Sequence, residues 1–220
     1  MSLWIKICAN TSLEDAQLAA DAGADAVGFV FAPSPRRVTA EQVATIAPRL
    51  PAGLEKIGVF VDAPFEEIAA AVRQCRLSGV QLHAGIEAST IAKLRREFGS
   101  ALKILRVVHF GPDAVAQAHE FAADSHVDGV LVDSRTATAV GGTGIAFDWE
   151  QAARTIFADG KLRLIAAGGL NPENVSEAIR VLRPWGVDVA SGVEAAPGRK
   201  DPARVKAFIQ NARRSVLDPF

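Results

Sequence analysis

Three residues with acid or base chemistry stand at the ends of short apolar runs. Cys8 ends the run that begins at Trp4, His83 ends "VQLH", and Asp133 ends "GVLVD". A thiolate or a carboxyl group can take or give a proton, and imidazole titrates near neutral pH. By position alone, Cys8 could equally be small apolar filler and Asp133 a helix cap or an ion-pair partner. The residue types indicate general acid–base chemistry, provided that the fold brings them together.

The elements that must position these residues alternate between short apolar runs and longer amphipathic stretches. The predicted strands are Trp4–Cys8, Ala26–Phe31, Lys56–Val61, Val80–His83, Lys103–Val108, Gly129–Asp133, Arg163–Ala166 and Val187–Ala190. An amphipathic stretch follows each strand, which makes eight βα units. Parallel strands with right-handed helical crossovers close at this number into a (β/α)8 TIM barrel, which we predict as a single α/β domain over residues 1–220. A doubly wound open sheet is the alternative.

The barrel prediction gives the strand ends a common location. Sites in such barrels lie at the carboxyl ends of the strands, so Cys8, His83, Asp133 and Arg36, which lies in the loop after the second strand, should share one mouth. Cys75 falls near the end of a predicted helix, where an inert buried thiol is expected.

Two glycine-containing loops follow the last two strands. "AAGGLNPENV" contains Gly168 and Gly169, and "VASGVEAAPGRKD" contains Ser191 and Gly192. Glycine lets backbone N–H groups approach a ligand closely, and a following helix N-terminus adds partial positive charge. Either loop alone could be a plain tight turn. Together, after the strands where barrels commonly bind phosphate, they predict a phosphorylated small-molecule substrate.

Composition narrows the classes of partner. The chain has 220 residues, 49% of them hydrophobic and 22% charged, with a formal net charge of −1. This balance gives no general attraction to nucleic acid or to a membrane surface. We expect a cytoplasmic protein with reduced cysteines, because no apolar run reaches the roughly 18 residues of a membrane helix and two cysteines form no disulfide framework or metal cluster.

Several segments, in order and spacing, resemble one family. They are "KIC", "GADAVGFVF", "SPR", "GVFV", "VQLH", "LVDS", "GGTG" with "FDW", "GGLNPENV", "DVASGVE" and "PGRKD", spanning Lys6 to Asp201. The chain is similar here to the phosphoribosylanthranilate isomerases of tryptophan biosynthesis. The resemblance implies an Amadori rearrangement of N-(5-phosphoribosyl)anthranilate to 1-(2-carboxyphenylamino)-1-deoxyribulose 5-phosphate, without metal or organic cofactor. A monomer or a homodimer is expected.

The resemblance also implies residue roles. The cysteine of "KIC" falls on Cys8 as general base, the aspartate of "LVDS" on Asp133 as general acid, and the arginine of "SPR" on Arg36 as a contact of the anthranilate group. His83 is expected to line the substrate site. Gly142 and Gly144 lie in a Gly- and Thr-rich loop predicted to contact the substrate, either as a mobile flap or as a static loop. The chain departs from the family pattern at Ala9, where glycine is usual, at Arg37, where an aromatic residue is usual, and at Ile145, where a basic residue is common.

Strand periodicity makes a prediction about the pKa of Cys8. Residues two apart share a face of a strand, so Lys6 lies on the inward side with Cys8, and Asp188 points inward from the last strand. A cation beneath the thiol would lower its pKa, as a general base requires, whereas a Lys6–Asp188 pair would weaken that effect. We predict that the pair forms, because the first and last strands of a closed barrel are neighbours.

Two other functions fit parts of the pattern. A phosphate-binding barrel could catalyse a different reaction, such as indole formation or another sugar-phosphate isomerisation. The strand ends, however, carry no lysine and glutamate constellation suited to the decarboxylating ring closure of an indole-forming synthase. A catalytically inactive barrel could instead bind a phosphorylated regulator, but such a module would need neither Cys8 nor Asp133.

Overall fold

Eight parallel strands close into a barrel in the order β1 to β8, with β8 paired to β1, in a computed structural model that describes residues 3–134, 148–158, 160 and 162–217. The strands are β1 Trp4–Ile7, β2 Ala26–Val30, β3 Glu55–Phe60, β4 Gly79–Leu82, β5 Lys103–His109, β6 Gly129–Asp133, β7 Leu164–Ala167 and β8 Gly186–Val189. The predicted (β/α)8 barrel is therefore confirmed, and the doubly wound sheet is wrong. Each predicted strand end lies within one residue of the bound in the structure.

Helices follow the strands and cover the barrel. They are α1 Leu13–Asp21, α2 Ala40–Ile46, α3 Phe65–Cys75, α4 Ala88–Phe98, α5 Ala114–Ala123, α6 Trp149–Arg154, α7 Val175–Leu182 and α8 Pro202–Leu217. Local signals start several of them: the Ser12 hydroxyl accepts from the Asp15 backbone N–H, and Thr39 and Gln42 form a reciprocal capping box. Among the described residues, no helix is long and apolar enough to cross a membrane.

Alternation along each strand separates two apolar regions. Residues such as Ile5, Ile7 and Val27 face outward and pack under the helices. A smaller apolar cluster fills the barrel interior: Trp4, Ala26, Ile57, Leu105, Val107, Leu131, Ile165 and Ala167. Polar side chains also project into the interior, where Lys6 of β1 contacts Gln81 of β4 and Asp188 of β8. The barrel thus encloses a buried group of polar and charged residues.

A short antiparallel ribbon, which strand patterning did not predict, follows β8. A 3₁₀ turn at Ser191–Val193 leads into β9 Glu194–Ala196, which pairs with β10 Arg199–Lys200. Gly198, with a φ of +80°, makes the turn between them. The ribbon is anchored to the start of α1, since the Thr11 hydroxyl donates to the Gly198 carbonyl at 2.6 Å and the Lys200 N–H donates to Asp15 Oδ2 at 3.1 Å. It carries charged residues to the mouth of the barrel.

Candidate active site

The predicted acid and base lie on the same mouth of the barrel. Asp133 is the last residue of β6, and Cys8 follows β1 directly, three strands away around the ring. Both are buried, with 4% and 6% exposure. His83 is half-buried directly after β4. The prediction that these residues share one end of the barrel is confirmed.

The chain makes a sharp bend after Cys8. Ala9 has a φ of 62°, a left-handed conformation that costs a non-glycine residue about 1–2 kcal/mol. Buried Asn10 stabilises the bend, because its side-chain amide donates to the Ile7 carbonyl at 2.8 Å and to the Gly28 carbonyl at 3.2 Å. Gly28 itself leaves room for the thiol, since a Cβ there would lie 2.6 Å from Cys8 Sγ. The glycine usual at position 9 is thus replaced at some cost in backbone strain.

A buried charge pair lies beneath the thiol. Lys6 Nζ donates to Asp188 Oδ1 at 2.7 Å, as strand periodicity predicted, and also to Gln81 Oε1 at 2.8 Å. Burial works to lower the pKa of Lys6, but the charges of Asp188 and of an ionised Cys8, with their hydrogen bonds, outweigh burial and leave that pKa raised. Lys6 is therefore held in its charged form.

The pKa of Cys8 is raised, contrary to the expectation that a general base here has a lowered one. Burial is the largest cause and disfavours the thiolate, and the Asp188 carboxylate adds to the effect. The positive charges of Lys6 and Lys200 act in the opposite direction without overcoming burial. Burial therefore leaves Cys8 mainly a thiol at neutral pH, although the charge of Lys6 favours the thiolate more than that of Asp188 opposes it.

Arg36 is held at the mouth by the ribbon. Its Nε and Nη2 donate to the carboxylate of Glu194 at 2.9 Å and 2.7 Å, the two-point geometry that fits guanidinium to carboxylate. Lys200 Nζ lies 3.3 Å from the same carboxylate and donates to the Ala190 carbonyl at 3.2 Å. Burial lowers the pKa of Lys200, although the Glu194 charge opposes this shift. Arg37, by contrast, is exposed.

Gly168, in the loop predicted to bind phosphate, packs against the predicted acid. Gly168 has a φ of +78°, and a Cβ on it would come within 2.5 Å of Asp133 Oδ1, so the carboxylate lies directly against this backbone. Gly169 follows with a φ of +68°, and its carbonyl accepts from the Asn174 side chain at 2.9 Å, just before α7 begins. The first glycine loop and Asp133 therefore form one continuous surface.

The second glycine loop contacts the first through backbone atoms. Gly192 packs so closely on the Leu170 carbonyl that no Cβ fits between them. The Gly192 carbonyl accepts from Arg204 Nε of α8 at 3.0 Å. Exposed Ser191 begins the 3₁₀ turn. Gly168, Gly169, Ser191 and Gly192 are thus brought together, whereas Gly142 and Gly144, with Ile145, lie outside the described residues.

Comparison with known proteins identifies relatives of this chain. A family model described as N-(5'phosphoribosyl)anthranilate (PRA) isomerase matches residues 5–211. The chain belongs to the phosphoribosylanthranilate isomerase family. The N-(5'-phosphoribosyl)anthranilate isomerase of Trichlorobacter lovleyi is 41% identical over 213 residues, covering 96% of this chain and 98% of the relative.

Two solved phosphoribosylanthranilate isomerases share the architecture. Monomers generated from the dimeric enzyme of Thermotoga maritima are 36% identical, with a TM-score of 0.80, and the match covers 96% of this chain and 99% of that one. A family structure in complex with reduced 1-(o-carboxyphenylamino)-1-deoxyribulose 5-phosphate is 35% identical, with a TM-score of 0.82 and the same coverage. Family membership therefore extends over nearly the whole chain, including both glycine loops.

Sequence reasoning missed three residues at the mouth of this family member. Lys200 and Glu194 stand in "PGRKD" and "GVE", but nothing in strand or helix periodicity shows that a ribbon folds them over Arg36. His109 ends β5 beside Asp133 in the register, with its ring centroid 6.2 Å from that of His83. A one-residue underestimate of the strand, which was predicted to end at Val108, hid this histidine.

The contact between the two loops leads to a prediction for Gly192→Ala. The new methyl group meets the Leu170 backbone, which cannot rotate away, so the loops must separate. We expect KM for the phosphorylated substrate to rise at least about tenfold, with a stability loss of about 1–3 kcal/mol. Gly53→Ala is the matched control, because a Cβ there has no neighbour within 4 Å. Equal KM values for the two variants would contradict a phosphate site at this contact.

Proposed function

We propose that Asp133 and Cys8 carry out the proton transfers by which this isomerase converts N-(5-phosphoribosyl)anthranilate to 1-(2-carboxyphenylamino)-1-deoxyribulose 5-phosphate. The observation that carries the proposal is their placement: an acidic and a basic group end β6 and follow β1 at one mouth, with the two glycine loops between them. The reaction moves protons within one sugar and needs no oxidant or reductant.

Asp133 acts first, as the general acid. Its carboxyl group protonates the furanose ring oxygen, the C1–O bond breaks, and the anthranilate nitrogen donates its lone pair to form an iminium ion. The buried position of Asp133 supports this role, because a proton donor gains from exclusion of water. Contact with Gly168 supports it too, since a sugar whose phosphate lies on that loop has its ring beside the carboxyl group.

Cys8 then acts as the general base. Its thiolate removes the proton from C2, and the C1–N iminium takes up the electron pair to give an enolamine. Tautomerisation of the enolamine gives the 2-ketone and a C1 methylene group. Lys6 and Lys200 favour the thiolate from two sides, which supports the assignment even though burial dominates in the free protein.

We assign binding to the remaining predicted residues. Gly168, Gly169, Ser191 and Gly192 hold the phosphate through backbone N–H groups and the serine hydroxyl. Arg36, fixed by Glu194, faces the anthranilate carboxylate, and His83 lines the same mouth. The reduced thiol of Cys8 fits a cytoplasmic enzyme, and we propose that the chain acts there as a monomer or a homodimer without nucleic acid.

The experiment that tests this function is direct turnover. The protein is incubated with enzymatically generated phosphoribosylanthranilate, and loss of the anthranilate fluorescence is followed. We expect multiple turnovers without added metal or cofactor. No turnover, with the reduced product analogue still bound, would instead favour a binding module or a different sugar phosphate.

The raised pKa of Cys8 predicts the pH dependence of this turnover. The base must be a thiolate, and burial favours the thiol, so kcat/KM should increase with pH through the neutral range and reach no plateau below about pH 8.5. Lys200→Met removes a charge that lowers this pKa, and should move the plateau to still higher pH. The thiolate absorbance of Cys8 can be followed in the Cys75→Ser variant, which removes the other cysteine of the chain. A plateau already reached below pH 7 would contradict the assignment.

A further inference from the structure

Four polar side chains form a continuous chain across the barrel beneath its mouth. Lys6 Nζ donates to Asp188 Oδ1 at 2.7 Å and to Gln81 Oε1 at 2.8 Å. Gln81 Nε2 in turn lies 3.0 Å from His83 Nε2. Lys6 is fully buried, and Asp188 and Gln81 are 7% and 4% exposed, so water has little access to these contacts. The chain thereby reaches the half-buried imidazole of His83.

The direction of each hydrogen bond in this chain follows from chemistry. The ammonium group of Lys6 has donors only, so Gln81 must turn its amide oxygen toward Lys6. Its amide nitrogen then faces His83, and that nitrogen can only donate. His83 Nε2 must therefore accept, which means that it carries no proton. A histidine ring without a proton on Nε2 is neutral and has its proton on Nδ1.

We propose that Asp188, Lys6 and Gln81 are positioning residues that lock His83 as a neutral imidazole with its proton on Nδ1. In the proposed reaction His83 is then a hydrogen-bond donor toward an acceptor oxygen of the substrate, and neither the acid nor the base. Only the role of His83 toward the substrate rests on the proposed function. The tautomer depends on the buried chain alone.

The groups around His83 support a neutral ring. A proton on Nε2 would point at the N–H donors of Gln81, with the charged Lys6 behind them. The carboxylate of Asp188 is already paired with Lys6. Other titratable groups lie on the neighbouring elements. The ring centroid of His109, at the end of β5, is 6.2 Å from that of His83, and Asp133 ends β6 beside His109. Asp62 follows β3, and its backbone N–H donates to the carbonyl of Ala84, the residue after His83. A neutral His83 leaves proton donation at the mouth to Asp133.

The tautomer can be measured by long-range ¹H–¹⁵N correlation spectra of the ¹⁵N-labelled protein near pH 7, which separate protonated from unprotonated ring nitrogens. The signals of His83 are assigned by their loss in His83→Asn. We expect a neutral ring with Nδ1 protonated. A ring protonated on Nε2, or a doubly protonated ring, would overturn the proposal.

Gln81→Glu tests the cause. The introduced carboxylate has no donor, so it must accept from Nε2, and we expect Nε2 of His83 to become protonated near pH 7. Exposed His119 serves as an internal standard whose signals stay unchanged, and Gln117→Glu makes the same charge change on the exposed surface of α5. If Gln81→Glu folds and the protonation state of His83 is the same as in the parent, the proposal is overturned.

A second variant covers the case in which Gln81→Glu does not fold. Gln81→Met removes the donor without adding charge, so Nε2 of His83 should take up a proton more readily, and the ring should become doubly protonated at a higher pH than in the parent. Identical titration of His83 in the parent and in Gln81→Met would overturn the proposal. Because these spectra need no turnover, they stand even if the isomerase assay fails, and the two outcomes remain distinguishable.

Discussion

Asp133→Asn should lower kcat by about 10²–10⁴-fold, the usual contribution of a positioned general acid. Asparagine has the shape of aspartic acid but has no acidic proton to give to the furanose oxygen. The shape matters here, because Asp133 Oδ1 lies against Gly168 and a larger side chain would displace the phosphate loop. We therefore expect KM to change little while the single-turnover rate falls. Stopped-flow measurement of anthranilate fluorescence separates the two.

Asp62→Asn is the matched control for this prediction. Asp62 follows β3 at the same mouth and is exposed, so its substitution makes the same carboxyl-to-amide change at the same end of the barrel. Its backbone has a φ of 48°, a left-handed conformation that asparagine tolerates. We expect near-normal kcat for Asp62→Asn. If both variants lost activity equally, general electrostatics would explain the loss and Asp133 would not be the acid.

Cys8→Ser should lower kcat by a similar factor of about 10²–10⁴. A hydroxyl group fits the space that Gly28 leaves for Sγ, but it is a far weaker acid than a thiol, so an anionic base forms much less readily. In the parent, a substrate deuterated at C2 should show a primary isotope effect wherever proton removal limits the rate. In Cys8→Ser this step should become fully rate-limiting.

Cys75→Ser provides the control for the second prediction. Cys75 is fully buried at the end of α3, and its thiol donates to the Ala40 carbonyl at 3.3 Å. This substitution tests the loss of a buried sulfur without touching the mouth, and kcat should stay unchanged. A Cys8→Ser variant that kept more than a tenth of the parent kcat would mean that another group, such as His109 beside Asp133, removes the C2 proton.

The surroundings of Cys8 bear on its proposed role as the base, because the thiol must ionise despite its raised pKa. Complete burial of the thiol disfavours its ionisation, and the two cations, Lys6 and Lys200, keep the pKa from rising further. Each cation is itself paired, Lys6 with Asp188 and Lys200 with Glu194. These carboxylates weaken the cations as partners of the thiolate but keep them charged in a buried site. Because the raised pKa leaves little thiolate at neutral pH, we expect kcat/KM to be reduced there, and its pH profile measures the reduction.

The sequence by itself determined the barrel and the placement of Cys8 and Asp133 at strand ends, whereas their roles as candidate base and acid are what the family resemblance implies. Apolar runs alternating with amphipathic stretches specify parallel strands covered by helices, and the closed barrel has eight of each. Period-two alternation also placed Lys6 and Asp188 on the inward face of two neighbouring strands, and Lys6 Nζ lies 2.7 Å from Asp188 Oδ1. These features depend on local patterns repeated along the chain, which is why they can be inferred from it.

Only the tertiary structure decided how the site residues act on one another. The ribbon of β9 and β10 joins Lys200 and Glu194 to Arg36, a contact that spans 158 residues between Glu194 and Arg36 and leaves no trace in local periodicity. The direction of the Cys8 pKa shift follows from the extent of burial, which depends on packing by every strand and loop around the thiol. Likewise, the orientation of Gln81 is fixed only once Lys6 lies within hydrogen-bonding distance. Residue types give the possible chemistry, whereas distances and burial in three dimensions select among its protonation states.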